Sequence, residues 1–131
     1  ALECDFLIPA ALGSAINESN VDLLNCKVII EAANGPVTGD AANRLWKREI
    51  AIIPDILTNA GGVTVSYFEW VQNLQQFKWS EEEVNKKLED KMVQAFKEVH
   101  DVKMKQNIPM RIASFMVAID RVERSYSLRG G

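Results

Sequence analysis

The chain has 131 residues, of which 47% are hydrophobic and 25% are charged, and its formal net charge at pH 7 is -3. This length corresponds to one domain and is long enough to bury a core. The weak negative charge, without a cluster of lysines and arginines, argues against a nucleic-acid or anionic-membrane partner, and the longest apolar stretches are too short to span a bilayer.

Three short apolar runs, each closed by a turn, predict a parallel sheet. They are Cys4–Ile8, Lys27–Ala33 and Ile50–Ile53. Runs that are apolar without strict alternation are typical of parallel strands covered on both faces. The first run lies almost at the start of a chain that does not begin with Met. Because such a strand requires burial on both faces, we expect its neighbours upstream and predict that this chain is a fragment.

The segments between these runs are predicted to be helical, roughly over Asn17–Asn25 and Gly39–Glu49. In the second segment the apolar residues recur at helical spacing, which places them on one side. Strand, helix, strand, helix, strand is a βαβαβ unit with right-handed crossovers.

The two cysteines, Cys4 and Cys26, each lie beside an apolar run and lack the spacing of a metal site. A pair of reduced, partly buried thiols in a reducing compartment is the favoured interpretation. A structural disulfide between them is the alternative.

Because parallel strands point the same way, their C-terminal ends share one edge, and open α/β sheets bind ligands along that edge. The three turns at this edge are Pro9–Ala11, Asn34–Pro36 and Pro54–Gly62. The amides of Asn34 and Asn59 are the natural ligand groups here, since each offers a donor and an acceptor to a carboxamide or a ribose hydroxyl. The alternative for each asparagine alone is a plain turn-forming role.

Two adjacent glycines, Gly61 and Gly62, follow Asn59 and precede the breaker-free segment Val63–Trp70. They predict a helix N-terminus whose unpaired N–H groups suit a phosphate, a carboxylate or a carboxamide oxygen. Paired glycines also permit close approach of a ligand to the main chain. A glycine-rich turn into a buried helix is the alternative.

Two further polar residues near this edge have two interpretations each. Ser66 lies one or two helical turns beyond the glycines, with Val63 one helical step before it, so its hydroxyl is a candidate for the same crevice as Asn59. The alternative is a small residue that permits close helix packing. Asp55 follows Pro54 at a strand end, where it is either a functional carboxylate or, as we favour, a turn former.

The second half of the chain predicts long helices. Ser80 and Glu83 form a capping box, and the apolar periodicity then continues to about Asn107, over roughly 40 Å. A compact domain of this size has a diameter of roughly 36 Å, so this helix is expected to pack along a larger body. Pro109 is predicted in the first turn of the last helix, and the tail Ser127–Gly131 is predicted to fray.

Several motifs of enzyme chemistry are missing from the sequence. None of the glycines forms G-x-G-x-x-G, so the usual pyrophosphate loop is not in this chain. No Ser–His–Asp arrangement and no His/Cys cluster for a metal can be assembled. His100, the single histidine, is predicted to be a helical surface or interface residue.

Four segments carry a resemblance to a known family: Cys4–Ala11, Ala33–Pro36, Pro54–Leu57 and above all Asn59–Trp70. They closely resemble the glutamate dehydrogenase family, and the resemblance extends over essentially the whole chain, including Arg111 and Ile119–Val122. It implies an α/β fold: a partial Rossmann-like sheet of three parallel strands followed by long C-terminal helices. Residues 1–66 would be the second half of the dinucleotide-binding domain, and residues 67–131 a C-terminal helical segment that packs back toward the substrate domain.

The family resemblance implies oxidative deamination of L-glutamate to 2-oxoglutarate and ammonia, with hydride passing to NAD or NADP. By this resemblance Asn34, Asn59 and Gly61 are cofactor-binding residues near the nicotinamide end. Ser66 would bind the side-chain carboxylate of the substrate, and Val63 would line its aliphatic stem. A hydroxyl donor above an apolar wall does suit a dicarboxylate. Branched-chain and phenylalanine dehydrogenases share the asparagine–glycine turn but as a rule lack the serine, so Ser66 favours glutamate.

The chain departs from the family pattern and covers only part of it. Gly35-Pro36-Val37-Thr38-Gly39 stands where the family usually has Gly-Pro-Thr-Thr-Pro, so the turn after Asn34 is expected to differ in shape. The catalytic lysine and aspartate and the glycine-rich loop belong to upstream sequence. We therefore assign no catalytic residue and no metal to this chain, and we expect no activity from it alone. Its sequence does not separate NAD from NADP.

The resemblance also implies a homo-oligomer, specifically a hexamer. Gln75–Ser80 passes directly between helices, without the large inserted hairpin of animal members. This indicates a bacterial, archaeal or plant-like protein, located in the cytoplasm or, if plant-like, in mitochondria. Two alternatives to a glutamate dehydrogenase stay open: a non-catalytic assembly module that acts through its helices, and a fragment of a branched-chain or phenylalanine dehydrogenase.

Overall fold

A computed structural model describes residues 3–130. Within this range the strands and helices follow one another in the order β1, β2, α1, β3, α2, α3, α4, α5. The strands are β1 (Glu3–Leu7), β2 (Asn25–Ile30) and β3 (Ala51–Ile53). The helices are α1 (Gly39–Lys47), α2 (Asp55–Thr58), α3 (Ala60–Gln75), α4 (Glu81–Gln106) and α5 (Met110–Leu128).

The three strands form one parallel sheet in the order β1-β2-β3. This confirms the predicted α/β fold, a three-stranded parallel sheet followed by long helices. Cys4 and Cys26 are partners in the β1–β2 register, and both are free thiols. Burial is the first cause that raises the pKa of the Cys26 thiol above its usual range, and the neighbouring Cys4 adds to it.

Strand β2 ends at Ile30, whereas the sequence predicts that it continues to Ala33. The backbone leaves the sheet after Glu31, whose N–H still donates to the carbonyl of Ile53 over 3.0 Å. The N–H of Ala33 donates instead to the carbonyl of Pro9 over 2.9 Å. The apolar residues Ala32 and Ala33 therefore belong to the turn at the sheet edge.

The predicted helix over Asn17–Asn25 is wrong. Only a single 3-10 turn forms there, at Val21–Leu23. The side chain of Asn17 accepts from the N–H of Ser19 over 3.0 Å, and the side chain of Asn20 accepts from the N–H of Asn17 over 2.9 Å. Asparagine side chains that bond nearby backbone groups compete with helix formation.

Helix α1 confirms the second predicted helix of the first half. Thr38 caps its N-terminus, because the Thr38 hydroxyl accepts from the N–H of Ala41 over 3.3 Å. The helix stops at Lys47, before the predicted Glu49, which adopts a left-handed φ of 58°.

Two buried clusters hold the sheet and the helices together. The first lies between the sheet and α1 and comprises Ile16, Val21, Cys26, Ile29, Val37, Ala41, Leu45 and Ile50. The second joins α2 to α4 and α5 and comprises Leu57, Val99, Met110 and Ala113. The second cluster therefore fixes the short helix α2, which follows the C-terminal end of β3, against the long helices.

The long helices follow the predicted pattern. The capping box is present, since the Ser80 N–H donates to Glu83 Oε2 over 2.8 Å and the Glu83 N–H donates to Ser80 Oγ over 3.2 Å. Helix α4 ends at Gln106, and Asn107 closes it with a left-handed φ of 52°. Helix α5 begins directly after Pro109.

The predicted fraying from Ser127 is wrong for Ser127 and Leu128, which continue α5. The Ser127 hydroxyl donates to Glu123 Oε1 over 3.0 Å, one helical turn back. No glycine or proline interrupts the helix before Gly130, which has a φ of 83°. Gly131, the last residue of the predicted tail, lies outside the described residues.

Candidate functional site at the C-terminal edge of the sheet

The two asparagines predicted at the sheet edge are in direct contact. Asn59 Nδ2 donates to Asn34 Oδ1 over 2.6 Å. Asn34 lies in the turn after β2, and Asn59 lies between α2 and α3. Their bond occupies one acceptor and one donor. Because each carboxamide offers two donors and an acceptor oxygen with two lone pairs, the pair retains capacity for a ligand.

This pair lies in a cleft of about 680 Å³. Three chain segments line it, one from each strand end: Ala10–Gly13, Ala32–Asn34, and Ile56 with Asn59, Ala60 and Val63. The parallel sheet thus brings its three C-terminal turns to one edge, as the sequence predicts. The volume is within the range of small-molecule sites, roughly 300–1,000 Å³.

Val63 lines the cleft and is 71% exposed. Ser66, one helical turn further along α3, is exposed and lies outside the cleft lining. Its hydroxyl donates to the carbonyl of Gly62 over 3.1 Å. Val63 is therefore brought together with the asparagine pair, whereas the hydroxyl of Ser66 is bonded within its own helix.

Gly61 is directed toward α4. A Cβ atom at this position would lie 3.8 Å from Leu88 Cδ1 and 4.0 Å from Met92 Sδ. These are ordinary contact distances, so a Cβ atom would fit here and the packing of α3 against α4 does not require glycine. The position of Gly61 beside Ala60, which lines the cleft, leaves its main chain near the asparagine pair.

A largely buried ion-pair network, which the sequence does not reveal, joins Glu31, Asp55 and Arg111. Arg111 Nη2 donates to Glu31 Oε1 over 2.6 Å and also contacts Oε2. Arg111 Nη1 donates to Asp55 Oδ1 over 3.2 Å, and the Asp55 N–H donates to Glu31 Oε2 over 3.0 Å. Glu31 is fully buried, while the side chains of Asp55 and Arg111 are 17% and 26% exposed.

Burial raises the pKa of the Glu31 carboxyl above its usual range, and the N–H of Asp55 and the charge of Arg111 oppose that rise. The carboxylate of Asp55 also acts on Glu31 in the raising direction. Two carboxylates thus share one guanidinium. The one signal in the sequence was an acidic residue inside an apolar strand run, because a buried charge requires a partner.

Asp55 connects this network to the turn that carries Asn34. Its Oδ2 accepts from the N–H of Gly35 over 2.7 Å, and its Oδ1 accepts from the N–H of Ile56 over 2.8 Å. Gly35 has a left-handed φ of 54°, which favours glycine. On the opposite side of the turn, the Ser14 N–H donates to the carbonyl of Gly35 over 2.8 Å.

Comparison with known proteins decides the family. The profile of the Glutamate/Leucine/Phenylalanine/Valine dehydrogenase family matches residues 1–130. The chain belongs to this family. The resemblance to glutamate dehydrogenases over essentially the whole chain is confirmed with it.

The proteins similar to this chain include glutamate dehydrogenases. It is 46% identical to the cryptic catabolic NAD-specific glutamate dehydrogenase of Bacillus subtilis over 98% of its own length and 30% of that enzyme. It superposes on glutamate dehydrogenase from Peptoniphilus asaccharolyticus with a TM-score of 0.89 and 44% identity, covering 94% of this chain and 31% of that one.

A second similar structure is the hetero-hexameric glutamate dehydrogenase from Thermus thermophilus, in a Leu-bound form. Its TM-score is 0.91 at 28% identity, covering 97% of this chain and 30% of that one. The chain thus spans about a third of the length of the relatives it matches.

A second, more apolar cavity of about 380 Å³ lies between α1, β3, α4 and α5. Trp46, Phe96 and His100 contribute to its lining. His100 stacks on Phe96 with ring centroids 5.9 Å apart and an interplanar angle of 16°. It is therefore an interface residue within the helical part.

Among residues 3–130, no helix combines the length and the apolar character needed to cross a membrane.

Proposed function

We propose that this chain is the part of an NAD-dependent glutamate dehydrogenase that binds the nicotinamide end of the cofactor and the side-chain carboxylate of L-glutamate. The observation that carries the proposal is the contact of Asn34 with Asn59 in a cleft at the C-terminal edge of a parallel sheet. The reaction is oxidative deamination of L-glutamate to 2-oxoglutarate and ammonia. When bound, the cofactor supplies the hydride acceptor.

The donor set of the cleft fits the nicotinamide end of the cofactor. Two carboxamide side chains offer both donors and acceptors, which a nicotinamide carboxamide or a ribose hydroxyl requires. We assign Asn34 and Asn59 to this role, with the main chain at Gly61 as a further contact. Preorganised amides of this kind orient a ligand without a rearrangement of the backbone.

Val63 and Ser66 are proposed to bind the substrate. They lie three residues apart in α3, so their side chains are on neighbouring positions of one helix face. Val63 would contact the aliphatic stem, and the Ser66 hydroxyl would donate to the distal carboxylate. For this the hydroxyl exchanges its bond to the Gly62 carbonyl for a bond to the substrate. A hydroxyl bond to a charged carboxylate is stronger than a bond to a neutral carbonyl.

The cofactor and the assembly state are also part of the proposal. We propose NAD over NADP because the similar enzyme of Bacillus subtilis is NAD-specific. We propose a hexamer, supported by the hetero-hexameric state of the Thermus thermophilus enzyme, and we infer identical subunits from the family resemblance. Residues 1–66 would complete a dinucleotide-binding domain, and residues 67–131 would pack toward a substrate domain. The catalytic lysine and aspartate would be supplied by sequence outside this chain.

The proposal is tested with the complete dehydrogenase that contains residues 1–131, or with a chimera in which they replace the matching segment of the Bacillus subtilis enzyme. We expect turnover of L-glutamate with NAD, followed by NADH absorbance, and a lower kcat/KM with NADP. An enzyme that assembles but turns over a branched-chain amino acid or L-phenylalanine in preference to L-glutamate would contradict the substrate assignment.

In the same enzyme, Ser66→Ala is expected to raise the KM for L-glutamate about tenfold to hundredfold, because the distal carboxylate loses a charge-assisted hydrogen bond. The preference for glutamate over norvaline should narrow, since norvaline has no such carboxylate. Steady-state kinetics with L-glutamate and with norvaline measure the KM and the ratio of the two kcat/KM values.

Ser125→Ala is the matched control for this substitution. Ser125 is also an exposed helical serine, and its hydroxyl donates to the carbonyl of Arg121 over 2.8 Å, one turn back. The control should change the KM by no more than about twofold, as for an ordinary surface substitution. An unchanged glutamate-to-norvaline ratio in Ser66→Ala would remove Ser66 from the substrate site.

A second function, assembly through the helices, is favoured by the apolar side chains that α3 and α5 expose. Trp70 is 56% exposed, and Val122 and Tyr126 are 71% and 67% exposed. Within a soluble oligomer such faces are covered by neighbouring chain. If assembly were the sole role of this segment, Val122→Asp would change the oligomeric state, while Ser66→Ala would leave the kinetics of the complete enzyme unchanged.

A further inference from the structure

We propose that Asp55 is a positioning residue for the cofactor: it fixes the Asn34–Gly35 turn so that Asn34 meets Asn59. This inference rests on the proposed function, because it concerns the nicotinamide end of the same cleft. Asp55 itself does not line the cleft. It acts through Gly35, and it is held in turn by Glu31 and Arg111.

Both carboxylate oxygens of Asp55 are used inside the protein. Oδ2 accepts from the Gly35 N–H over 2.7 Å, and Oδ1 accepts from the Ile56 N–H over 2.8 Å and from Arg111 over 3.2 Å. Hydrogen bonds to an ionised carboxylate are roughly twice as strong as neutral ones. Since the side chain is only 17% exposed, these bonds are partly shielded from water.

The position of the Asn34 amide depends on the Gly35 backbone. Asn34 precedes Gly35 directly, and its oxygen lies 2.6 Å from the Asn59 amide nitrogen. The turn is held on one side by Asp55 and on the other by the Ser14 N–H, which donates to the Gly35 carbonyl over 2.8 Å. Without the Asp55 carboxylate, the Gly35 N–H loses its partner and the turn is held from one side only.

Glu31 and Arg111 determine where the Asp55 carboxylate lies. Glu31 accepts the main-chain N–H of Asp55 over 3.0 Å, which fixes the backbone at the start of α2. Arg111, in the first turn of α5, contacts both carboxylates. The packing of α5 is therefore connected to the asparagine pair through two ion pairs and two backbone hydrogen bonds.

The test uses Asp55→Ala and Asp55→Asn in the complete dehydrogenase. Asp55→Ala removes the acceptor of Gly35, so the KM for NAD should rise about tenfold to hundredfold while the KM for L-glutamate at saturating NAD changes less than about threefold. Asp55→Asn retains one neutral acceptor oxygen, so its rise should be smaller, about threefold to tenfold. A general loss of stability would not produce this split between the two substrates.

Leu45→Ala is the control for a purely structural effect. Leu45 is fully buried in the cluster between the sheet and α1 and does not line the cleft. It should lower stability and leave the KM for NAD unchanged. The positioning role is overturned if Leu45→Ala raises the KM for NAD as much as Asp55→Ala does, or if both Asp55 variants leave it within about twofold of the unmutated enzyme.

Hydrogen exchange of the Gly35 amide gives a readout that does not depend on turnover. This amide should exchange at least about tenfold faster in Asp55→Asn than in the unmutated protein, because its charged acceptor is replaced. An unchanged exchange rate overturns the proposal even if Asp55→Ala fails to fold. If the unmutated enzyme does not turn over glutamate with NAD, the proposed function fails separately, and the exchange rate still tests the contact.

Discussion

Arg111→Met is expected to lower the free energy of unfolding by about 3–5 kcal/mol, because it leaves a buried carboxylate without its partner. Glu31 is fully buried, and Arg111 contacts both of its oxygens. Methionine fills a similar volume, so the loss is attributable to charge and hydrogen bonding. Urea unfolding of the complete enzyme, followed by tryptophan fluorescence, measures the change.

Glu31→Gln is expected to recover most of this loss when combined with Arg111→Met. Glutamine removes the buried charge and still offers an oxygen to the N–H of Asp55, which Glu31 accepts over 3.0 Å. A double-mutant cycle over the two positions gives the interaction free energy between them. If the double variant is as unstable as Arg111→Met alone, the unpaired charge at Glu31 is not the cause.

The loss of stability in Arg111→Met should be smaller at low pH than at neutral pH. The folded-state pKa of Glu31 is already raised by burial, and the loss of Arg111 raises it further, while the nearby Asp55 carboxylate acts in the same direction. A raised folded-state pKa contributes stability that is present below the unfolded value and is lost as the pH rises through the folded value. The variant should therefore approach the unmutated protein as the pH falls toward 4.5, the ordinary value for a glutamate.

Leu57→Ala is expected to cost about 2–5 kcal/mol of stability, because it opens a cavity that the surrounding helices fill only in part. Leu57 is 6% exposed and packs with Val99, Met110 and Ala113. Through this side chain, α2 packs against α4 and α5. Hydrogen exchange of the α2 and α5 amides measures the local loss directly.

Leu57→Met is the matched control, since a volume-conserving change at the same position should cost less than about 1.5 kcal/mol. If both variants lose the same stability, the loss does not come from the cavity, and the close packing of Leu57 is not its cause. A loss below about 1 kcal/mol in Leu57→Ala would mean that the helices close over the missing atoms.

The sheet and its edge were predictable because their determinants are local. Three apolar runs, each closed by a turn, indicate parallel strands, and parallel strands bring their ends to one edge. This was sufficient to expect Asn34 and Asn59 on the same side, and the structure places them in contact. The capping box at Ser80 and Glu83 is likewise a local signal, and it fixed the start of α4.

The parts that could not be predicted depend on contacts between side chains that are distant along the chain or that compete with the backbone. Glu31 and Arg111 are 80 residues apart, so nothing near either one identifies its partner. The end of β2 was misplaced because Ala32 and Ala33 look like strand residues, although they line the cleft. No helix forms over Asn17–Asn25, which was predicted only from its position between two strands, because the side chains of Asn17 and Asn20 bond nearby backbone groups.

Helix α3 runs without interruption from Ala60 to Gln75, and Asn59 directly precedes it. At about 1.5 Å per residue, Ser66 lies about 10 Å along the axis from Asn59. If these two residues hold cofactor and substrate as proposed, a single rigid rod sets the separation of the two molecules. Substitution of side chains along α3 would then accommodate a longer or shorter amino acid, while the distance between the cofactor and the reacting end of the substrate stays the same.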